Sequence, residues 1–90
     1  MFVALIAKDK PNAQAVRAEN RPAHIEYLKS TDFVAQAGPF LGADGGMIGS
    51  LIILEVADMD AAQTWAGNDP YAKAGLFASV ELIPWNRVIG

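Results

Sequence analysis

The 90-residue sequence contains no cysteine and a single histidine, His24. The lack of cysteine excludes disulfide bonds, thiolate chemistry and cysteine-based zinc sites. One imidazole and a few scattered carboxylates make a poor ligand set for a transition metal, so we expect no metal site. We expect no other cofactor either.

Clustered positive charge and long apolar segments are also absent. The seven Lys and Arg residues are scattered among ten Asp and Glu residues, and the formal net charge is −3, whereas binding to nucleic acid requires a concentrated basic footprint. The apolar run at residues 2–7 is too short to span a membrane and lacks the flanking features of a signal peptide. We therefore expect a cytoplasmic protein that binds neither nucleic acid nor membranes.

Hydrophobic residues are abundant, at 52% of the chain. Runs of apolar and β-branched residues predict four strands, and Gly38-Pro39 should end the second of them. The predicted strands cover residues 2–7, 33–37, 48–56 and 77–83.

Helical regions separate the first strand from the second and the third from the fourth. In the first region Pro22 should interrupt the helix, leaving a kink or a second helix that carries Pro22 in its first turn. In the other region Asp58 is a good N-cap, and Asp69 should cap a further short helix that Gly75 ends.

The element order β-α-β-β-α-β predicts a ferredoxin-like α+β fold, a four-stranded antiparallel sheet with helices on one face, in a single domain over residues 1–90. The strands of such a sheet should alternate apolar and polar residues, because one face is open to water. The first and third strands are instead apolar on both alternations. A second copy of the chain is the simplest cover for that face, so we expect a homodimer or a higher oligomer.

His24 is a candidate for proton transfer, because imidazole changes its charge near neutral pH. Helical spacing places it at the border of a stripe of Pro22, Ile25 and Leu28 that should face inward. A catalytic imidazole needs a carboxylate to fix its tautomer, and the fold would bring Asp69 to the same sheet face. The alternatives are a boundary histidine bound to a carbonyl group and an aspartate that only caps a helix.

The chain contains four motifs in order: "RPAHIEYL", "AGPFLGADGGMIGSLIILE", "AAQTWAGNDPYAKAGLF" and "SVELIPWNRV". Through them the sequence resembles the YciI-like family over nearly its whole length. The resemblance implies a dimeric ferredoxin-like fold related to muconolactone isomerase-type domains, with a His–Asp pair at a pocket; the matching positions are His24 and Asp69. One member, a chlorinated hydroxyhydroquinone dehydrochlorinase, is taken to use the pair to remove a proton and expel chloride, but a shared fold does not transfer that activity.

Five further residues are candidates for contact with a substrate. Arg21 lies one turn before His24 and would bind a carboxylate or phenolate, unless it is only a solvated helix residue or is paired with Glu26 or Asp69. The other four are Gly38 and Pro39, where the backbone can be approached closely, Ser50, which offers a hydroxyl group, and Tyr71, which follows the capping turn.

The sequence leaves two functional hypotheses open. The first is a cofactor-independent lyase, isomerase or dehydrochlorinase-like enzyme acting on a small cyclic or aromatic molecule, in which His24 transfers a proton and Asp69 orients its ring. The second is a non-catalytic dimeric domain, binding a small ligand or serving as an accessory, in which the same pocket only binds.

Overall fold

A computed structural model describes residues 1–90 and has the predicted order of elements. The sheet has the order β2-β3-β1-β4 with every neighbouring pair antiparallel, and the helices cover one face. This confirms the ferredoxin-like α+β fold. No helix has both the length and the apolar character that a membrane span requires. The elements are β1 Phe2–Asp9, α1 Gln14–Ser30, β2 Val34–Leu41, β3 Met47–Glu55, α2 Met59–Asn68, α3 Pro70–Lys73 and β4 Phe77–Trp85.

The core lies between the sheet and the helices. Leu5 of β1 is paired with Ile52 of β3, and both side chains are fully buried beneath Ala62 and Trp65 of α2. Burying an aliphatic side chain of this size stabilises the fold by about 1.5–3 kcal/mol. The alternation of β1 and β3 thus places one set of apolar residues in the core and leaves the other set on the opposite face.

That opposite face, called the outer face below, is apolar as well. Leu51, Ile83 and Trp85 are 37%, 43% and 40% exposed there. The strand register groups them with apolar neighbours, so the exposed side chains form one continuous patch. The apolar residues that β1, β3 and β4 contribute to the outer face are Phe2, Ala4, Ile6, Leu51, Ile53, Ile83 and Trp85.

The prediction that Pro22 divides the first helical region is wrong, because α1 runs without interruption from Gln14 to Ser30. A proline inside a helix leaves the carbonyl group four residues earlier, here that of Ala18, without its N–H partner. Both Ala18 and Pro22 are exposed, so water can hydrate that carbonyl group. The cost of the proline is therefore smaller than it would be on the buried side.

The predicted inward stripe of α1 is also wrong in part. Pro22 is exposed and Ile25 is only half-buried, whereas Arg17 and His24, two turns apart, are buried. A helix normally turns its apolar side inward. Here the buried positions are polar and have polar partners on other elements, so His24 lies in the middle of the inward side.

The second predicted strand continues through Gly38-Pro39 to Leu41 instead of ending there. Strand β2 is at the edge of the sheet and pairs only with β3. Half of its N–H groups consequently need no partner in the sheet, and an edge strand is where proline is tolerated. Gly38 and Pro39 therefore lie within strand β2 and not in a turn.

The predicted helix ends are confirmed. The carboxylate of Asp58 accepts a hydrogen bond from the Ala61 N–H at 2.8 Å, and Asp69 caps α3 in the same way through the N–H of Tyr71. Gly75 ends α3 with a φ of +73°, in the left-handed region that favours glycine.

Gly49 in β3 is required by a close approach between strands. A Cβ atom there would overlap the backbone oxygen of Ala7 and lie 3.1 Å from the Phe40 ring. Because the oxygen belongs to a central strand, we expect Gly49→Ala to lower the free energy of unfolding by about 1–3 kcal/mol, measured by urea denaturation. Gly38→Ala is the matched control, since Gly38 also lies in a strand and nothing lies within 4 Å of its Cβ position. Equal urea midpoints for Gly49→Ala and the wild type would contradict this account.

Candidate active site

His24 and Asp69, which are 45 residues apart in the sequence, meet in a buried contact. His24 Nδ1 lies 2.7 Å from Asp69 Oδ1, and the two residues are 5% and 1% exposed. A carboxylate accepts hydrogen bonds, so Nδ1 carries the proton and Nε2 keeps its lone pair. The imidazole therefore has one nitrogen fixed by the protein and the other free to accept a proton.

The position of Asp69 follows from its role as a helix cap. Its Oδ1 atom accepts the N–H of Tyr71 at 2.9 Å in addition to the N–H of His24, and Pro70 fixes the first turn of α3. Its other oxygen, Oδ2, is buried and has no hydrogen-bond partner. Capping and orienting the imidazole are thus performed by the same oxygen atom.

Tyr71 holds the plane of the imidazole. The rings of His24 and Tyr71 are stacked, with centroids 3.8 Å apart and planes 13° from parallel, and Phe77 meets the Tyr71 ring edge-on at 6.0 Å. Burial raises the pKa of Tyr71, and the nearby cations of Arg17 and Arg21 only partly offset this. Tyr71 consequently stays protonated at neutral pH, and its ring packs against His24.

A second polar network lies beside the first. Arg17 donates from Nε and Nη2 to the two carboxylate oxygens of Asp9, at 2.7 and 2.9 Å, and Nη2 also donates to Ser50 Oγ at 3.1 Å. Burial alone would lower the pKa of Arg17, but the hydrogen bond and charge of Asp9, together with a smaller contribution from Tyr71, outweigh it and raise the pKa. The guanidinium group lies 4.7 Å from the centre of the Tyr71 ring, so the network is continuous with the His24 stack.

These groups surround a pocket of about 130 Å³ between α1 and the inner side of β2 and β3. Six of the seven predicted site residues line it, and Asp69 lies behind His24 and contacts it. The structure therefore brings all seven to one place. The lining residues are Arg17, Arg21, His24, Ile25, Leu28, Ala37, Gly38, Pro39, Met47, Ser50, Ile52 and Tyr71.

Sequence reasoning missed Arg17 and its partner Asp9. A signal was present, since Arg17, Arg21 and His24 are spaced by four and three residues and must share one side of α1. The sequence did not indicate Asp9 as the partner of Arg17. Their contact depends on how the end of β1 packs against α1, which is a feature of the tertiary structure.

The sequence profile of the YCII-related domain matches residues 1–86. The chain belongs to this family.

Two relatives are similar to this YCII-related domain over nearly the whole chain. Protein YciI of Escherichia coli O6:H1 is 33% identical over 97 aligned positions, which cover 98% of this chain and 99% of the relative. The solved structure of 5-chloro-2-hydroxyhydroquinone dehydrochlorinase (TftG) from Burkholderia phenoliruptrix, in complex with 2,5-dihydroxybenzoquinone, has a TM-score of 0.90 at 36% identity and covers 96% of this chain and 94% of its own. The resemblance found in the sequence is thereby confirmed.

A more distant structure agrees on the fold alone. Rv0793 from Mycobacterium tuberculosis has a TM-score of 0.60 at 18% identity, over 99% of this chain and 100% of its own. The YCII-related domain therefore shares its architecture with proteins of little sequence similarity.

Proposed function

We propose that this protein is a small-molecule enzyme in which His24 transfers a proton and Asp69 supports it. The buried contact of 2.7 Å between His24 Nδ1 and Asp69 Oδ1 carries the proposal. It leaves Nε2 as the base on the side of the pocket. A positioned imidazole of this kind contributes about 10²–10⁴-fold to a reaction rate.

The proposed step is removal of a proton from a hydroxyl group or an acidic C–H of a ring. The O–H or C–H bond breaks, a bond from hydrogen to Nε2 forms, and the electron pair stays on the substrate as a phenolate or enolate. Asp69 stabilises the resulting imidazolium ion in surroundings where water does not screen the charge. If the ring carries chlorine next to that oxygen, the imidazolium ion can return the proton to the chlorine-bearing carbon, forming a C–H bond and a C=O group. A second hydroxyl group on the ring then loses its proton and becomes C=O as the C–Cl bond breaks and chloride leaves, so the net loss of HCl needs no cofactor.

The dimensions of the pocket favour a single small ring. An apolar cavity of about 150 Å³ holds one benzene molecule, and this pocket of about 130 Å³ has its polar groups near His24. The structural relative TftG was solved with 2,5-dihydroxybenzoquinone, a ring of that size. We therefore propose hydroxylated aromatic or quinonoid rings as the substrate class, with Arg21, Gly38 and Pro39 along the wall that the ring contacts.

We also propose that the enzyme works as a homodimer joined through the outer face. The apolar patch around Leu51, Ile83 and Trp85 supports this, because monomeric proteins seldom leave a large apolar patch on a sheet in water. A two-fold dimer would place this patch against its own copy. The opposite face, which carries the pocket, would stay accessible to substrate.

The single histidine gives a direct test of the proposal. Adding 2,5-dihydroxybenzoquinone should shift the NMR signal of the His24 ring, and a screen of hydroxylated aromatics and lactones should identify a compound that the wild type converts. A shift at His24 with no conversion of any compound would identify a binding or accessory domain instead. If no ligand changes the His24 signal, the pocket beside His24 is not a binding site for these compounds.

A further inference from the structure

Arg17 has one guanidinium nitrogen that binds neither Asp9 nor Ser50. Its Nε and Nη2 atoms donate to those two residues, whereas Nη1 donates to neither of them, and the guanidinium group also faces the Tyr71 side chain. Arg17 lines the same pocket as His24, so its guanidinium group is within reach of a ligand there. Because Arg17 is only 4% exposed and is bound by Asp9 and Ser50, the guanidinium group has a fixed position.

Ser50 offers a second donor at the same place. Its oxygen accepts the hydrogen bond from Arg17 Nη2 at 3.1 Å, and its own hydrogen has no acceptor in the protein. A hydroxyl group that accepts from a cation is polarised and becomes a better donor. Ser50 is 3% exposed and lines the same pocket as Arg17 and His24.

We infer that Arg17 Nη1 and the Ser50 hydroxyl bind the anionic oxygen of the substrate while His24 takes its proton. The inference rests on the proposed function, and it assigns the anion to Arg17 and not to the exposed Arg21. When the proton moves to Nε2, the electron pair of the broken bond becomes negative charge on the substrate oxygen. Donors already fixed by the protein stabilise such charge without having to reorganise.

The charges around the pocket fit this assignment. Asp9 and Asp69 carry two negative charges, and Arg17 and Arg21 carry two positive ones, so the pocket is neutral when His24 is neutral. Proton transfer creates an imidazolium ion and an oxyanion together, and the sum stays at zero. The pair of Asp9 and Arg17 also explains how a guanidinium group remains buried before any ligand arrives, since Asp9 compensates its charge.

The test compares an anionic ring with a neutral one. The anionic probe is 2,5-dihydroxybenzoquinone, which is ionised at neutral pH, and the neutral probe is hydroquinone. Affinities would be measured for the wild type, Ser50→Ala and Arg17→Lys, with Lys29→Gln as the control. That substitution also removes one positive charge, but at an exposed residue in the last turn of α1 that does not line the pocket.

We expect Ser50→Ala to weaken binding of the anion by about 10-fold or more, since hydrogen bonds to charged groups are strong. Binding of hydroquinone should change by less than about twofold, and Lys29→Gln should leave both affinities unchanged. Arg17→Lys keeps the charge but loses the forked geometry, so it should also reduce the preference for the anion. If that variant does not fold, Ser50→Ala decides the matter alone.

Two results would overturn the inference: an unchanged preference for the anion in folded Ser50→Ala, or an equal loss for both probes. Its failure can be told apart from failure of the proposed function. If the wild type converts a substrate and Ser50→Ala binds the anion as well as the wild type does, the inference is wrong and the proposed function is not affected. A preference for the anion that depends on Ser50, in a protein that converts nothing, leaves the anion site standing and rejects the enzyme.

Discussion

Replacing His24 with asparagine should lower turnover by about 10²–10⁴-fold while leaving the fold and ligand binding in place. The amide nitrogen of asparagine is bonded to Cγ as Nδ1 is, so its N–H can donate to Asp69 and the buried carboxylate keeps a partner. An amide cannot take up a proton at neutral pH, so the base is lost. Initial rates with a substrate of the wild type, together with affinity for 2,5-dihydroxybenzoquinone, measure the two effects separately.

Asp69→Asn is the companion variant. It keeps the imidazole and an oxygen that can accept from both His24 and Tyr71, but it removes the charge that supports the imidazolium ion. Its NH₂ group would replace the buried Oδ2, where no acceptor is present, at a cost of about 1–3 kcal/mol in stability. Rates must therefore be compared at equal amounts of folded protein. If His24→Asn keeps a rate within threefold of the wild type, His24 is not the base. If Asp69→Asn does so, Asp69 does not support the base.

The parts of the fold that follow from local pattern could be predicted from the sequence. Continuous apolar runs marked β1 and β3, and aspartate followed by helix-forming residues marked the starts of α2 and α3. Two of the errors came from proline. Pro22 and Pro39 both occur where the missing N–H group has little consequence, on an exposed helix side and on an edge strand. Whether a proline lies at such a position depends on tertiary structure.

The site was predictable to the extent that its residues have a local signature. Asp69 was recognisable as a cap, and the order of elements together with the family motifs brought it near His24. Arg17 was not recognised, because a buried arginine depends on partners that are distant in sequence. Ser50 lies 33 residues from Arg17, and its contact with Arg17 depends on the register of β3 against β1.

Replacing Leu51 with lysine should convert the proposed dimer to a monomer. The register pairs Leu51 with Ile6 on the outer face, whereas its neighbour Ile52 is fully buried in the core. In a two-fold interface the substitution occurs on both sides, and two ammonium groups would lose water against apolar surface without a partner. Sedimentation should give twice the 9.6 kDa chain mass for the wild type and the mass of one chain for Leu51→Lys.

Gln63→Lys is the matched control, because it adds the same charge at an exposed position on α2, on the opposite side of the sheet from the interface. A dimeric Leu51→Lys protein, or a monomeric wild type, would contradict the proposed interface.

The proposed dimer should also affect the pocket, through the edge strand β2. Ala37 and Pro39 of β2 line the pocket on the inner side of the sheet, and Gly38 between them pairs with Leu51 of β3. A strand held by one neighbour opens more readily than a central one. We therefore expect the monomeric variant to bind 2,5-dihydroxybenzoquinone more weakly than Gln63→Lys, because the dimer supports the wall against which the ring packs.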